Sequence, residues 1–137
     1  SLVPSQISSI EAVGVPILTD SVDIANARIR FETGCIANIT ASRVSADTMR
    51  KIRIFQSNSY ISIDFAKASV DVFNLEENKQ IKHTHLAMSE SDALAAEIRS
   101  FIDAVKGESL IRVDGEAGYR AIEVAHTIKD SLIVPER

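Results

Sequence analysis

Three features of the 137-residue sequence predict an α+β fold. Apolar and polar residues alternate with a period of two from Ile7 to Met88. Short polar or glycine-containing turns separate those runs. After Ser89 the period becomes helical. Strands first and helices last place the helices over one face of a sheet. The expected architecture is an open, mostly antiparallel sheet of about six to seven strands. It occupies 7–88, with two C-terminal helices at 90–107 and 115–132 packed on one face. No internal repeat, low-complexity segment or linker interrupts the chain, so 1–137 reads as a single domain.

The elements follow in order. Ser1–Pro4 reads as the tail of an element, and a chain opening "SLVPSQ" without methionine is expected to be an excised piece of something longer. "ISSIEAVGVPIL" alternates from Ile7 and closes near Pro16, which suits an edge or a strand end. In Val22–Glu32, Ala27, Ile29 and Phe31 face one way and Asn26, Arg28, Arg30 and Glu32 the other. That is a half-buried antiparallel strand. Thr33-Gly34 signals a hairpin, because glycine tolerates the positive φ of a tight turn. Cys35–Ser45 returns, with Arg43 at its end. "MRKIRIFQ", "YISIDF", "VDVFNLE" and "QIKHTHLAM" complete the meander, separated by turns such as "SNS" and "ENK". Ser89 with Asp92 resembles a capping box. Leu94, Ile98, Phe101, Ile102 and Val105 then keep helical spacing up to Gly107, a C′ residue. Asp114 caps a second helix, whose stripe is Tyr119, Ile122, Ala125, Ile128 and Leu132, with Pro135 beyond.

Composition narrows the function. Fifteen basic residues against nineteen acidic ones give a net charge of −4, a poor footprint for nucleic acid. No apolar run approaches the roughly 20 residues of a membrane helix, and no signal peptide is visible. One cysteine, Cys35, permits neither an internal disulfide nor a cysteine-based zinc cluster. This fits a reducing compartment, and a cytoplasmic location is expected.

Few residues carry candidate chemistry. His83 and His85 lie on one face of a strand, a spacing that suits a metal pair or a solvated edge, with no third ligand evident. His126 follows a stripe position of the second helix and reads as structural or exposed. Cys35 has no neighbouring activator and reads as a packing residue. Arg50, Lys51 and Arg53 form a short basic patch, either solvated or available to a phosphate or partner. "VDGEAG" leads into a capped helix and is no phosphate cradle. "ITASRVS" is the remaining candidate: Thr40, Ser42 and Arg43 lie near a strand end. The forked donors of Arg43 suit a carboxylate or phosphate ligand, or an acidic residue across the sheet or a domain interface.

"DIANARIRFETGCIANITASRVS", "MRKIRIFQSNSYISIDF" and "IRVDGEAGYRAIEVAHTIKDSL" resemble the C-terminal domain of the Gfo/Idh/MocA oxidoreductases, closest to the branch acting on sugars and nucleotide sugars. The resemblance is weakest over 75–89. It implies an N-terminal Rossmann domain, absent here, that binds NAD or NADP. The substrate then sits in a cleft between the domains, and the free sheet face makes a subunit interface. The family's lysine in E-K-P and histidine in H-D-x-D are not found in this sequence. By the resemblance, Ser42 and Arg43 match the strand end near the cleft and take substrate-binding or domain-contact roles. No catalytic, cofactor-binding or metal residue is assigned.

The chain is therefore expected to be the substrate-binding and dimerisation domain of an NAD(P)-dependent sugar or nucleotide-sugar oxidoreductase. It is expected to be inactive alone, to hold no cofactor itself, and to form a homo-oligomer through the open sheet face. The alternatives are a non-catalytic assembly module and a metal-binding domain using His83 and His85.

Overall fold

The computed structural model describes residues 2–88 and 92–135. The elements run β1 (Ile7–Val15), β2 (Ile24–Phe31), β3 (Ile36–Ser42), β4 (Lys51–Phe55), β5 (Ser59–Asp64), β6 (Ser69–Leu75), β7 (Ile81–Ala87), α1 (Ala93–Val105), α2 (Gly115–Asp130) and β8 (Leu132–Ile133). The α+β class stands, with two helices near the C-terminus. The sheet count differs from expectation. The described strands form two four-stranded sheets, β3-β2-β1-β8 and β4-β5-β6-β7, instead of one sheet of about six to seven. Alternation reveals that a strand exists but not which strand it pairs with, so it could not show this division. The chain groups into two compact units. One runs to Ala46 and resumes at Arg112; the other is Asp47–Ile111.

In the first unit β1, β2 and β3 form an antiparallel meander. Its core lies where small and branched side chains oppose each other: Ile10 faces Ile29, and Ala12 faces Ala27. Ala12, Ala27 and Ile29 are the buried apolar residues among those described. The predicted alternation of β2 is seen directly, with Ala27 and Ile29 buried and Asn26, Arg28 and Arg30 exposed. The hairpin turn places Gly34 at φ 83°, as its sequence requires. β8, missed by the sequence reading, runs parallel to β1 and pairs Leu132 with Ala12. Two residues are too few to show any period, and the helical spacing of the preceding residues extends through Leu132 in the sequence.

Gly14 of β1 marks a close approach. A Cβ there would lie 2.7 and 2.9 Å from the Val22 methyls and 3.2 Å from Leu132 Cδ2. Overpacking costs about 1–3 kcal/mol. Against this stands roughly 0.5–1 kcal/mol that alanine regains over glycine in a strand. Gly14→Ala is therefore expected to lower stability by about 1–2 kcal/mol in a urea melt. An unchanged midpoint would show that Val22 and Leu132 withdraw freely.

In the second unit the antiparallel meander carries a ladder of rings on one face. Phe55 stacks on Tyr60 (4.8 Å), Tyr60 on Phe73 (5.5 Å), and Phe73 on His83 (4.3 Å). These are directly opposed cross-strand partners. Each inner ring has its π-faces covered by neighbours. The ladder therefore ties four strands together but offers no open ring face at its centre.

Both helices form where the period predicts, with differences at their faces. Asp92 caps α1, accepting the Ala95 N–H at 3.1 Å; the predicted cap Ser89 lies outside the described residues. Gly107 takes φ 77° just beyond the end of α1. The apolar stripe of α1 is exposed: Phe101 retains 69% of its surface and Val105 71%. Asp114 caps α2 as predicted, accepting the Ala117 N–H at 2.8 Å. α2 lies against β1. Its least exposed positions include Gly118, Val124 and Ile128, whereas Tyr119 and Ile122 face outward. Two overlapping stripes fit the same helical period, and the larger side chains drew the sequence reading to the outer one.

Candidate functional site

The predicted pair Ser42–Arg43 sits at the end of β3, opposite the start of β2. Ile24 pairs with Ser42, and one step further the Arg43 amide donates to the Asp23 carbonyl at 3.1 Å. Ser42 turns the chain. Its Oγ accepts the amides of Val44 (3.2 Å) and Ser45 (3.1 Å), and it lies 2.7 Å from Ser45 Oγ. Ser42 is thus committed to its own turn, a use typical of serine at strand ends.

Arg43 is held by the β1–β2 loop. Its Nε donates to Asp23 Oδ1 at 2.6 Å. Its Nη2 donates to Ser21 Oγ (2.6 Å), Thr19 Oγ1 (2.9 Å) and the Val22 carbonyl (3.3 Å). None of the bonds among the described residues uses Nη1. The arginine side chain is 55% exposed while that of Asp23 is 1% exposed. Asp23 Oδ2 also accepts the amides of Ile17 (2.7 Å), Leu18 (2.7 Å) and Thr19 (3.0 Å), and Oδ1 accepts the Thr19 hydroxyl (3.0 Å). These bonds, led by the Thr19 amide, hold the carboxyl far below the usual carboxylate range against the opposing effect of burial. Asp23 is therefore charged throughout the physiological range.

The other sequence candidates lie elsewhere. His83 Nε2 and His85 Nδ1 are each 2.8 Å from the same oxygen, Asp71 Oδ1. That carboxyl is held below its usual range, mainly by His85 and then by His83. Both imidazoles thus spend a ring nitrogen on one acceptor. Among the described residues no group of three or more His, Cys, Asp or Glu could hold a metal ion. Of the basic patch, Lys51 pairs with Asp64 at 3.0 Å. Asp64 in turn accepts the amides of Ala66 and Lys67, and its carboxyl is lowered chiefly by Lys51. Cys35 is free and exposed, and His126 is exposed on α2.

No protein-family model matches the chain. A curated relative does: the UDP-N-acetylglucosamine 3-dehydrogenase of Acidithiobacillus ferrooxidans is 31% identical over 125 residues, covering 88% of this chain and 40% of the relative. A solved structure of that organism's enzyme superposes with a TM-score of 0.86 at 30% identity, over 96% of this chain and 42% of that one. These likenesses agree with the resemblance of the chain to the C-terminal domain of the Gfo/Idh/MocA oxidoreductases. The chain spans well under half the length of the relative it matches. A levoglucosan dehydrogenase solved in complex with NADH shares the fold, at a TM-score of 0.78 and 13% identity over 92% of this chain and 42% of that one.

Within this fold, Arg43 proves to be one member of a set that also includes Thr19, Ser21 and Asp23. The sequence reading named none of these three. Their signal was present in "LTDSVD", a run of short polar side chains after Pro16 that favours local side-chain-to-backbone bonds. Chemically, the set can present a fixed guanidinium edge. Its one hydroxyl–carboxylate contact, Thr19 Oγ1 to Asp23 Oδ1, involves a carboxyl held far below the usual range and hence a poor base, so proton transfer would need groups outside the set.

Proposed function

We propose that the chain is the substrate-side and subunit-assembly domain of an NAD(P)-dependent oxidoreductase acting on a sugar or nucleotide sugar. In the parent protein a hydroxyl-bearing carbon gives a hydride to nicotinamide while a base takes the hydroxyl proton, leaving a carbonyl. The nicotinamide would be bound by an N-terminal dinucleotide-binding domain and the base supplied by residues outside this chain, so the domain alone is inactive. Ser42 and Arg43 are the proposed substrate-side residues, the open sheet face is the proposed homo-oligomer contact, and the cytoplasm is the proposed location. No helix among the described residues is long and apolar enough to cross a membrane. The observation that carries the reading is the 31% identity to UDP-N-acetylglucosamine 3-dehydrogenase over 88% of this chain. The test is nicotinamide reduction by the full-length protein with UDP-N-acetylglucosamine. Turnover by the full-length protein and none by the isolated domain is the expected result. Robust turnover by the domain alone would refute the division of labour.

Arg43→Ala in the full-length protein is expected to raise KM about tenfold, the loss of one hydrogen bond to a ligand, with a smaller fall in melting temperature than Asp23→Ala produces. Asp23 loses its Arg43 partner in that variant but keeps its three amide partners, so the loop is weakened less than by removing the carboxylate itself. A large fall in melting temperature with unchanged KM would make Arg43 purely structural. A second reading, a non-catalytic assembly module, draws on the ties of Arg43 to Asp23, Ser21 and Thr19, which also suit a purely structural role. Absence of turnover by the full-length protein with both NAD and NADP would favour it.

A further inference from the structure

We propose that Asp23 is a positioning residue for Arg43, fixing its guanidinium so that the Nη1 edge meets an uncharged oxygen of the ligand, a sugar hydroxyl or carbonyl, rather than a phosphate. The proposal rests on the reading that Arg43 is on the substrate side, and deepens it. Two observations carry it. The first is geometric. Nε and Nη2 are both anchored, at 2.6 Å to Asp23 and at 2.6 and 2.9 Å to Ser21 and Thr19. A planar guanidinium held at two of its nitrogens has its third fixed in direction. Asp23 is itself immobile, tied by three backbone amides and the Thr19 hydroxyl. Its side chain is almost wholly buried while Arg43 remains half exposed. The buried partner sets the position, and the exposed partner has the free donors.

The second observation is electrostatic. The carboxylate sits 2.6 Å from Nε, so the pair carries no net charge toward a ligand. A phosphate site gathers unpaired cations and amides, as at phosphate-binding arginines and helix N-termini. Here the arginine's charge is already matched, and an approaching phosphate would also meet the field of Asp23. What remains is a rigid pair of N–H donors with little net field. Such donors suit a neutral acceptor, and their contribution should be insensitive to salt.

The experiment measures binding of UDP-N-acetylglucosamine to the full-length protein by calorimetry, which needs no turnover. Wild type, Arg43→Ala and Asp23→Asn are compared from about 0.05 to 0.5 M salt, a range over which screening lengths fall severalfold. Arg43→Ala and Asp23→Asn should each weaken binding about tenfold at high salt, and the double variant Arg43→Ala/Asp23→Asn, which keeps the pair's net charge at zero, should do so with a ratio to wild type that stays constant across the salt series. A double-variant ratio that collapses at high salt would mean a charged acceptor; it overturns the proposal and leaves Arg43 on the substrate side. Arg43→Ala binding like wild type would overturn both the proposal and the substrate-side reading, as would a wild-type protein that binds no nucleotide sugar. Asp23→Asn binding like wild type would remove the positioning role alone. Should Asp23→Asn fail to fold, the double variant Thr19→Val/Ser21→Ala keeps Asp23 and its amide bonds while freeing Nη2. It should weaken binding about threefold at every salt concentration, and wild-type affinity in it would count against the proposal.

Discussion

Ile29→Ala is expected to destabilise the first unit by about 3 kcal/mol, within the range for emptying a buried isoleucine site. Ile29 is the large side chain among the described buried apolar residues, with 3% of its surface exposed. It sits on the central strand pair, opposite Ile10 of β1 and Ala37 of β3. The neighbouring core positions Ala12 and Ala27 are small and cannot move in to fill the gap. Transfer of the lost methyls to water accounts for part of the cost and the residual cavity for the rest. The melting temperature should fall by about 10 °C, read alongside a urea midpoint. Ile36→Ala provides the control, since Ile36 on β3 is 41% exposed and should cost about 1 kcal/mol or less. Equal losses in the two variants would show that the core does not centre on Ile29.

Much of this unit is legible in the sequence. The alternation of "NARIRF" names Ala27 and Ile29 as inward, and they are buried. The reading of Thr33-Gly34 as a hairpin also fixes a register. Extended outward, that register pairs Ile24 with Ser42 and sets Asp23 beside Arg43. An acidic residue across the sheet was one partner foreseen for Arg43, and the hairpin brings Asp23 to it. The Thr19 and Ser21 contacts were harder to foresee, because the path of a loop between two strands is not set by the strands' period. The division into two sheets was likewise illegible, since side-chain alternation is the same whichever strand lies alongside. The short β8 could not be read for the opposite reason: a two-residue pairing is set by the β1 backbone and leaves no pattern of its own.

The helices show where periodicity stops being informative. Capping follows from single residues, and Asp92 and Asp114 both serve as N-caps. The stripe tells that a helix has an apolar side, but not that this side is covered within the chain. In α1 the stripe is present and exposed.

Asp23→Ala should produce the steepest change in acid behaviour, because one carboxylate holds a whole loop. In the native protein its carboxyl is held below the ordinary range, first by the Thr19 amide and then by those of Ile17 and Leu18 and by Arg43. A carboxyl with a lowered folded-state pKa contributes its full stabilisation above the unfolded value, about 3.9. That contribution is lost as pH falls from there through the folded value. At neutral pH, Asp23→Ala leaves three loop amides and the Arg43 guanidinium without their acceptor, and the melting temperature should drop by several degrees or more. The gap between wild type and variant should be the same at about pH 7 and pH 5, both above the unfolded value. It should narrow below about pH 4, because only the wild type loses this carboxylate's contribution there. Asp64 and Asp71 are shifted in the same direction but are common to both proteins, so they cancel in the difference. Urea midpoints across that series give the answer directly. A gap that stays constant into strong acid would mean that Asp23 acts through packing, and the charged pairing with Arg43 would lose its role in holding the loop.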